Sequence, residues 1–461
     1  MHLNRYSMKT NNLAIYALLL AGTAALGSCT LDDVEDPNNP SITSVTNNAT
    51  RGQLQTLVTG LEDLSKSYVS TTANAEGTFG REVWYFNYND SRNVQQWTGM
   101  TVTVPDENFY GVGGIYSTPY RAVKQANVLI SAAQNTNAVT TEERLAYSGF
   151  AKTIQGYQLL VPANAQYENG IRIDVADENH PGPFVSYQEA LKGIQQILQS
   201  GYDDLTKAGG IQLPFKLTNG YSGFNSPEGL AKVNRALAAR VAIYQADGAA
   251  ALNYLKDSFF DLNGDLDLGP AHVYGAPPES YNPFYYVLGA DIRTLPVPHP
   301  QFVEEAIPGD KRIKQKIYVR DKEIVNTVGK VPLASRYQDK RWESNTSPIK
   351  YIRNEELILI YAEANILTNN LDEAVRAINV IRQAAEIGNY DGEKTVAALT
   401  DELLFQRRYS LWFEPAGHRW VDMRRYNRLD QISTELDQGT IFKQLARPEN
   451  ENNWDKYVLT H

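Results

Sequence analysis

The chain has 461 residues, of which 42% are hydrophobic, and a formal net charge of −10. That length supports one large core or two domains. An acidic chain with no basic cluster interleaved with aromatic residues is not built to bind nucleic acid, and past the N-terminal leader no apolar run is long enough to span a bilayer. Tyrosine is over-represented, at 28 residues against 14 Phe and 6 Trp, which suits surfaces where a ring packs and its hydroxyl stays wet.

The N-terminus starts with Arg5 and Lys9, continues as an apolar run from Leu13 to Ala25, and reaches Leu26-Gly27-Ser28-Cys29. A short apolar core ending in small residues predicts a secretory signal peptide over residues 1–28, with either Met1 or Met8 as the start. Small residues directly before the chain's only cysteine form a lipobox, so Cys29 is the expected lipidation site. More than one acyl chain there, palmitate included, would give stable anchoring. Residues 29–40, with Asp32, Asp33, Glu35, Asp36, Pro37 and Pro40, read as an acidic tether. No second cysteine is present to form a disulfide.

Residues 41–461 read as a single domain. Periodicity predicts a helix over 41–70, with Leu54, Leu57, Val58, Leu61 and Leu64 on one face. Residues 71–115 read as irregular and rich in Tyr, Trp, Asn and Gly. Further helices are expected over 118–133, 142–161, 187–207, 227–246 and 249–257. From 258 to 350 the periodicity fades into a loop-rich insertion, with short strands expected at Ile313–Val319 and Ile324–Val328. Long loops in a compact protein are usually functional. Over 351–430 helical patterning returns: Leu357, Tyr361, Ala364 and Leu367 recur on one helix, and Ala374, Ile378, Ile381 and Ala385 on the next. Ala362, Ala364, Ala374 and Ala377 would let the two approach closely, as in tetratricopeptide-type pairs.

No catalytic signature is present: no Gly-x-Ser-x-Gly, no His-Glu-x-x-His, no P-loop and no dinucleotide fingerprint. The segment Arg407 to Arg425 alternates fixed cations and carboxylates and suits an internal salt-bridge network. Asp261, Asn263, Asp265 and Asp267 place oxygen side chains at alternate positions, as a calcium loop does, but Leu266 and His272 stand where an EF-hand needs Gly and Glu. Calcium is the only cofactor with a sequence candidate. The aromatic loop Arg81 to Trp97 is the binding candidate. It carries Trp84, Tyr88, Asp90, Arg92 and Trp97, and flat rings stack on the C–H face of a pyranose while Arg and Asp bind its hydroxyl rim. Trp97, in a polar and Gly-flanked context, is the expected stacking platform.

The C-terminal block resembles the SusD/RagB family of surface nutrient-binding lipoproteins. The resemblance rests on Tyr361 to Ala364, Asn379 to Arg382, Gln406-Arg407-Arg408 and Glu414 to Arg425. Gln406 stands where the family usually has Glu, and Pro415-Ala416 separate Glu414 from Gly417. Upstream, Asn127, Tyr157 to Leu160 and Arg235 to Tyr244 fit the family's earlier helices. The resemblance implies a mainly α fold of tetratricopeptide-like pairs carrying a loop-rich ligand-binding region. It implies a non-catalytic role: capture of oligosaccharide on the outer face of the outer membrane and delivery to a SusC-like TonB-dependent transporter. Ligand contacts would come from the N-terminal aromatic loop and from Tyr281 to Arg293 in the insertion, where Tyr285, Tyr286 and Arg293 are the candidates. Peptide cargo, a surface glycoside hydrolase and a helical scaffold that binds only protein remain the alternatives. Full burial of Trp84 and Trp97 would favour the scaffold.

Overall fold

The computed structural model describes residues 45–177 and 179–460. The signal peptide, Cys29 and the acidic tether lie outside the described residues. Mainly α architecture is what the structure shows. The longer helices are α1 (Arg51–Lys66), α2 (Val69–Phe79), α3 (Val112–Gln134), α4 (Thr141–Gln166), α5 (Tyr187–Ala208), α6 (Pro227–Tyr244), α7 (Gly248–Lys256), α8 (Asn354–Leu367), α9 (Leu371–Ala384), α10 (Val396–Ser410), α11 (His418–Arg425) and α12 (Glu449–Thr460). The strands are β1 (Val83–Phe86), β2 (Ile171–Arg172), β3 (Phe184–Val185), β4 (Ala271–His272), β5 (Leu295–Pro298), β6 (Ile317–Asn326), β7 (Leu333–Asp339) and β8 (Ile349–Lys350). They pair antiparallel as β1–β5, β2–β3, β4–β8 and β6–β7.

Local chemistry sets the helix starts. Thr50 with Gln53, Thr140 with Glu143 and Ser186 with Glu189 form reciprocal capping boxes at α1, α4 and α5, each contributing about 1 kcal/mol. Ser226 caps α6 and Pro227 opens it, where its missing N–H costs nothing. Helix α4 is almost wholly buried, with α3, α5 and α6 packed around it. Small residues make that approach possible: a Cβ on Gly149 would meet the Leu205 side chain at 2.5 Å, and one on Gly156 would meet Leu198 at 2.7 Å. The α8–α9 hairpin buries Ala362, Ala364, Ala374 and Ala377, as their spacing predicts. Leu367, expected on the same face, is instead exposed at the end of α8.

The elements differ from the sequence expectations in three places. The first expected helix is two, α1 and α2, parted at Ser67–Tyr68. The stretch 71–115 is not irregular throughout: it holds most of α2, then β1, then a short helix at Arg92–Gln95. The expected strand from Ile313 begins as a helical turn, Lys311–Lys316, because the Asp310 side chain caps the Arg312 amide and Arg312 reaches Gln406 (2.8 Å) and Ser410 (3.0 Å) on α10.

The charged C-terminal block is internal. Arg407 Nε lies 2.6 Å from Asp422 Oδ2, and Arg425 bridges Asp422 (2.7 Å) and Glu363 (2.8 Å). Arg240 holds Glu356 through both oxygens, and Arg353 pairs with Glu414 (2.9 Å) and with Glu355. Burial pulls the Asp422 carboxyl upward, but Arg407 and Arg425 more than offset it and hold the group below its usual range. His418 is pushed down to about 4, chiefly by burial, and is neutral beside Glu356. Arg419 departs from the expected network. It makes no direct ion pair among the described residues, and burial with Arg408 nearby lowers it to about 9.

Candidate functional site

A groove of about 710 Å³ opens where the N-terminal loop meets the insertion. Ile324 of β6 lines it and belongs to a small apolar cluster with Trp84 and Phe86 of β1, Leu295 and Val297 of β5 and Leu333 of β7. The β1–β5 ladder, running from Val83↔Pro298 to Phe86↔Leu295, brings the two regions together from far apart in sequence. The Tyr88 hydroxyl then donates to the Val325 carbonyl, tying the N-terminal loop to β6. Tyr88 remains 42% exposed, and the Arg293 guanidinium lies 5.5 Å from its ring centre, within cation–π range.

The opposite wall is the loop 286–291. Gln338 on β7 accepts from Gly289 N at 3.0 Å and donates to the carbonyls of Tyr286 and Val287. Arg320 donates to Gln338 (2.7 Å) and to the Ala290 carbonyl (2.7 Å). Gly289 has φ of +73°, and a Cβ there would sit 3.3 Å from the Tyr318 hydroxyl, so glycine suits both the backbone and the close approach of that ring. The side chains of Asp291, Asp321, Lys322 and Glu323 are exposed along the groove. Such a site offers an aromatic ring, carboxylate acceptors and cationic donors together, the set that grips a polyhydroxylated ligand.

Of the residues singled out from sequence, the structure brings Tyr88 and Arg293 together in this groove and places the others elsewhere. Trp97 is a correction: it is 2% exposed, its indole N–H donates to the Tyr110 carbonyl at 3.0 Å, and it packs between Tyr85 and Tyr110. It is a core residue, because the polar segment around it folds between the rings of Tyr85 and Tyr110, which lie outside the reach of strand or helix periodicity. Trp84 is likewise buried, against Phe86 and His299, with its N–H directed at Asp437. Arg81 is buried and paired with Asp437 at 2.6 Å, and so cannot reach ligand. Asp90 and Arg92 are tied to each other at 2.7 Å, and the hydrogen bonds from Arg92 lower Asp90 to about 2. Tyr286 packs on the Trp84 cluster, and burial raises its hydroxyl pKa. Tyr285 is half-buried and does not line the groove.

The calcium candidates organise their own loop. Asp261 accepts from Asn263 N (2.9 Å) and Asp265 from Asp267 N (3.0 Å). The Asn354 side chain donates to the carbonyls of Asp261 and Asp265. Among the described residues no group of three or more His, Cys, Asp or Glu is placed to hold a metal ion.

Asp265 and Asp267 border a second cleft, of about 630 Å³, which also holds Trp342. Its cations are engaged internally. Lys316 donates to the carbonyls of Tyr409 and Ser410 (both 2.6 Å), Lys350 to Gly269 (2.8 Å), and Arg341 to Asp339 and the Trp412 carbonyl. The exposed cations of the first groove, Arg293 and Lys322, make no ion pair or hydrogen bond among the described residues, and that difference from the cations of the second cleft singles it out. Tyr318 and the charged run Asp321 to Glu323 were missed from the sequence. Their signal was there, as a charged break between two expected strands.

Residues 303–460 match the sequence model of the SusD family. No curated protein matches the chain. Among solved structures, surface glycan-binding protein A from Bacteroides uniformis superposes with a TM-score of 0.66 at 16% identity, covering 88% of this chain and 98% of that one. The family-model match is confined to the C-terminal part of the chain, and what the superposition shows is a shared fold. A SusD superfamily protein from Bacteroides vulgatus aligns with this chain at a TM-score of 0.62 and 15% identity, over 84% of this chain and 91% of that one. Surface glycan-binding protein A from Bacteroides thetaiotaomicron, solved in complex with laminarihexaose, gives a TM-score of 0.64 at 14% identity, over 88% and 98%. No helix among the described residues is long and apolar enough to cross a membrane.

Proposed function

We propose that this SusD-like protein is a cell-surface binder, anchored through lipid on Cys29, that captures oligosaccharide in the Tyr88–Arg293 groove. It then hands the ligand to a SusC-like TonB-dependent transporter. One observation carries the reading: the fold joins the N-terminal loop and the insertion into a ligand-sized groove whose exposed charged side chains are unpaired among the described residues. A similar fold in Bacteroides thetaiotaomicron is that of a glycan-binding protein solved with laminarihexaose. Trp84 and Trp97 are both buried, the outcome expected of a helical scaffold that binds only protein; the exposed Tyr88 beside Arg293 in the groove is what supports a ligand site against that alternative. Binding without hydrolysis fits the setting of the carboxylates. Asp291, Asp321 and Glu323 are all exposed, whereas a glycosidase acid needs an apolar setting that raises its pKa.

The test is calorimetric titration of the full chain in detergent, against a panel of oligosaccharides and a panel of peptides. The combined variant Tyr88→Ala/Arg293→Ala is expected to weaken oligosaccharide binding by about tenfold or more, about 1.4 kcal/mol. Peptide binding in place of oligosaccharide binding, or an affinity untouched by the double variant, rules the reading out.

A further inference from the structure

Strand β6 is not a regular partner of β7. The register runs Ile317↔Asp339, Tyr318↔Gln338, Val319↔Tyr337, and resumes at Ile324↔Ser335. Between those points Arg320, Asp321, Lys322 and Glu323 stand opposite Arg336 alone. Such a bulge bends a strand and re-aims its side chains. Here it lifts Asp321, Lys322 and Glu323 out of the ladder and into solvent at the groove. The bulge is pinned at both ends. Arg320, buried, bonds Gln338 and the Ala290 carbonyl, and Arg336 donates to the Arg320 carbonyl at 3.3 Å. Ile324 returns to the buried apolar cluster that includes Trp84 and Phe86. The three raised side chains make no ion pair or hydrogen bond among the described residues, unlike the cations of the second cleft.

We propose that this bulge sets the ligand selectivity of the groove, and that it selects uncharged, hydroxyl-rich oligosaccharide over polyanionic oligosaccharide. The inference rests on the glycan reading above. The exposed charges of the groove are mixed: Asp291, Asp321 and Glu323 only accept hydrogen bonds, while Arg293 and Lys322 only donate them. A sugar hydroxyl does both, so one neutral ligand satisfies both kinds of group. A uronate or sulfated chain would meet three unpaired carboxylates on a protein whose formal charge is already −10, and like-charge juxtaposition is how sites reject wrong partners. A bulge with charged residues also protects an edge strand from pairing with other chains, and that role makes no demand on ligand charge.

Titrating the full chain in detergent with neutral hexasaccharides of several linkages, laminarihexaose among them, and with oligogalacturonate separates the two roles. Wild type is expected to bind its best neutral hexasaccharide at least about tenfold more tightly than oligogalacturonate. D321N/E323Q keeps the shape and removes two charges. It should narrow that ratio to about threefold or less without shifting the melting temperature, with D321N and E323Q each giving part of the effect. Oligogalacturonate binding wild type as tightly as the neutral sugars overturns the inference, as does an unchanged ratio in all three variants. In both outcomes the glycan reading survives, provided the sugar that binds is lost with Tyr88→Ala/Arg293→Ala. Binding of no oligosaccharide in any arm overturns the glycan reading and this inference with it.

Discussion

In the C-terminal block, Asp422, Glu363 and Arg407 are buried and share close ion pairs with one another or with the half-buried Arg425. In the groove, Asp291, Asp321, Lys322 and Glu323 are exposed and lack partners among the described residues. Both regions use the same few residue types. A charge taken out of water must be neutralised by a neighbour, which fixes geometry and leaves nothing for a ligand. A charge left in water at a groove keeps its hydrogen-bonding capacity. Composition therefore says little about which acidic-basic cluster binds something, and accessibility decides it.

Removing a member of the buried set should break the contrast most visibly. Asp422→Ala leaves Arg407 and Arg425 each short of a partner, and is expected to cost about 3–5 kcal/mol of stability. The melting temperature should fall while the folded fraction keeps its oligosaccharide affinity. A stable D422A protein that has lost binding would place the site in the C-terminal block.

Trp97→Ala tests the same division within the aromatic loop. The ring fills a gap between Tyr85 and Tyr110, so truncation should cost about 3–5 kcal/mol through the cavity it leaves. A chemical denaturation curve gives the value. Little loss of stability together with lost binding would return Trp97 to the ligand.

An effect that appears only as pH is changed comes from Glu76 on α2. Burial, with Glu82 nearby, raises its carboxyl from 4.5 to about 8 against the opposing pull of Arg424, and its Oε1 has no hydrogen-bond partner. The folded chain therefore keeps a proton that the unfolded chain releases. The stability this gives is fully present below pH 4.5. It is lost as pH rises toward 8, by about 1.4 kcal/mol per unit. Glu76→Gln stays neutral throughout, so it should match wild type near the acidic end and melt higher near pH 8. Melting curves of both proteins across that range check it, and parallel curves would mean that Glu76 does not titrate there.

Much of the helical frame was legible in the sequence, because each long helix carries its own signal. The caps at Thr140, Ser186 and Ser226 are local, and the apolar face of α1 and the alanine pattern of the α8–α9 hairpin repeat within a few turns. The internal character of the Arg407–Arg425 segment was legible too, since alternating fixed charges on amphipathic helices need one another. The charged break between two expected strands was also visible, though its meaning as a bulge was not.

Only the tertiary structure decided which aromatic and charged residues meet solvent. Trp97 sits among polar neighbours in sequence and is buried by Tyr85 and Tyr110. Arg81 finds its partner in Asp437, near the other end of the chain. Tyr88 and Arg293 share a groove because β1 pairs with β5 across the helical bulk of the molecule. Helix periodicity is written within a few residues, whereas the exposure of a single side chain depends on what distant segments pack against it.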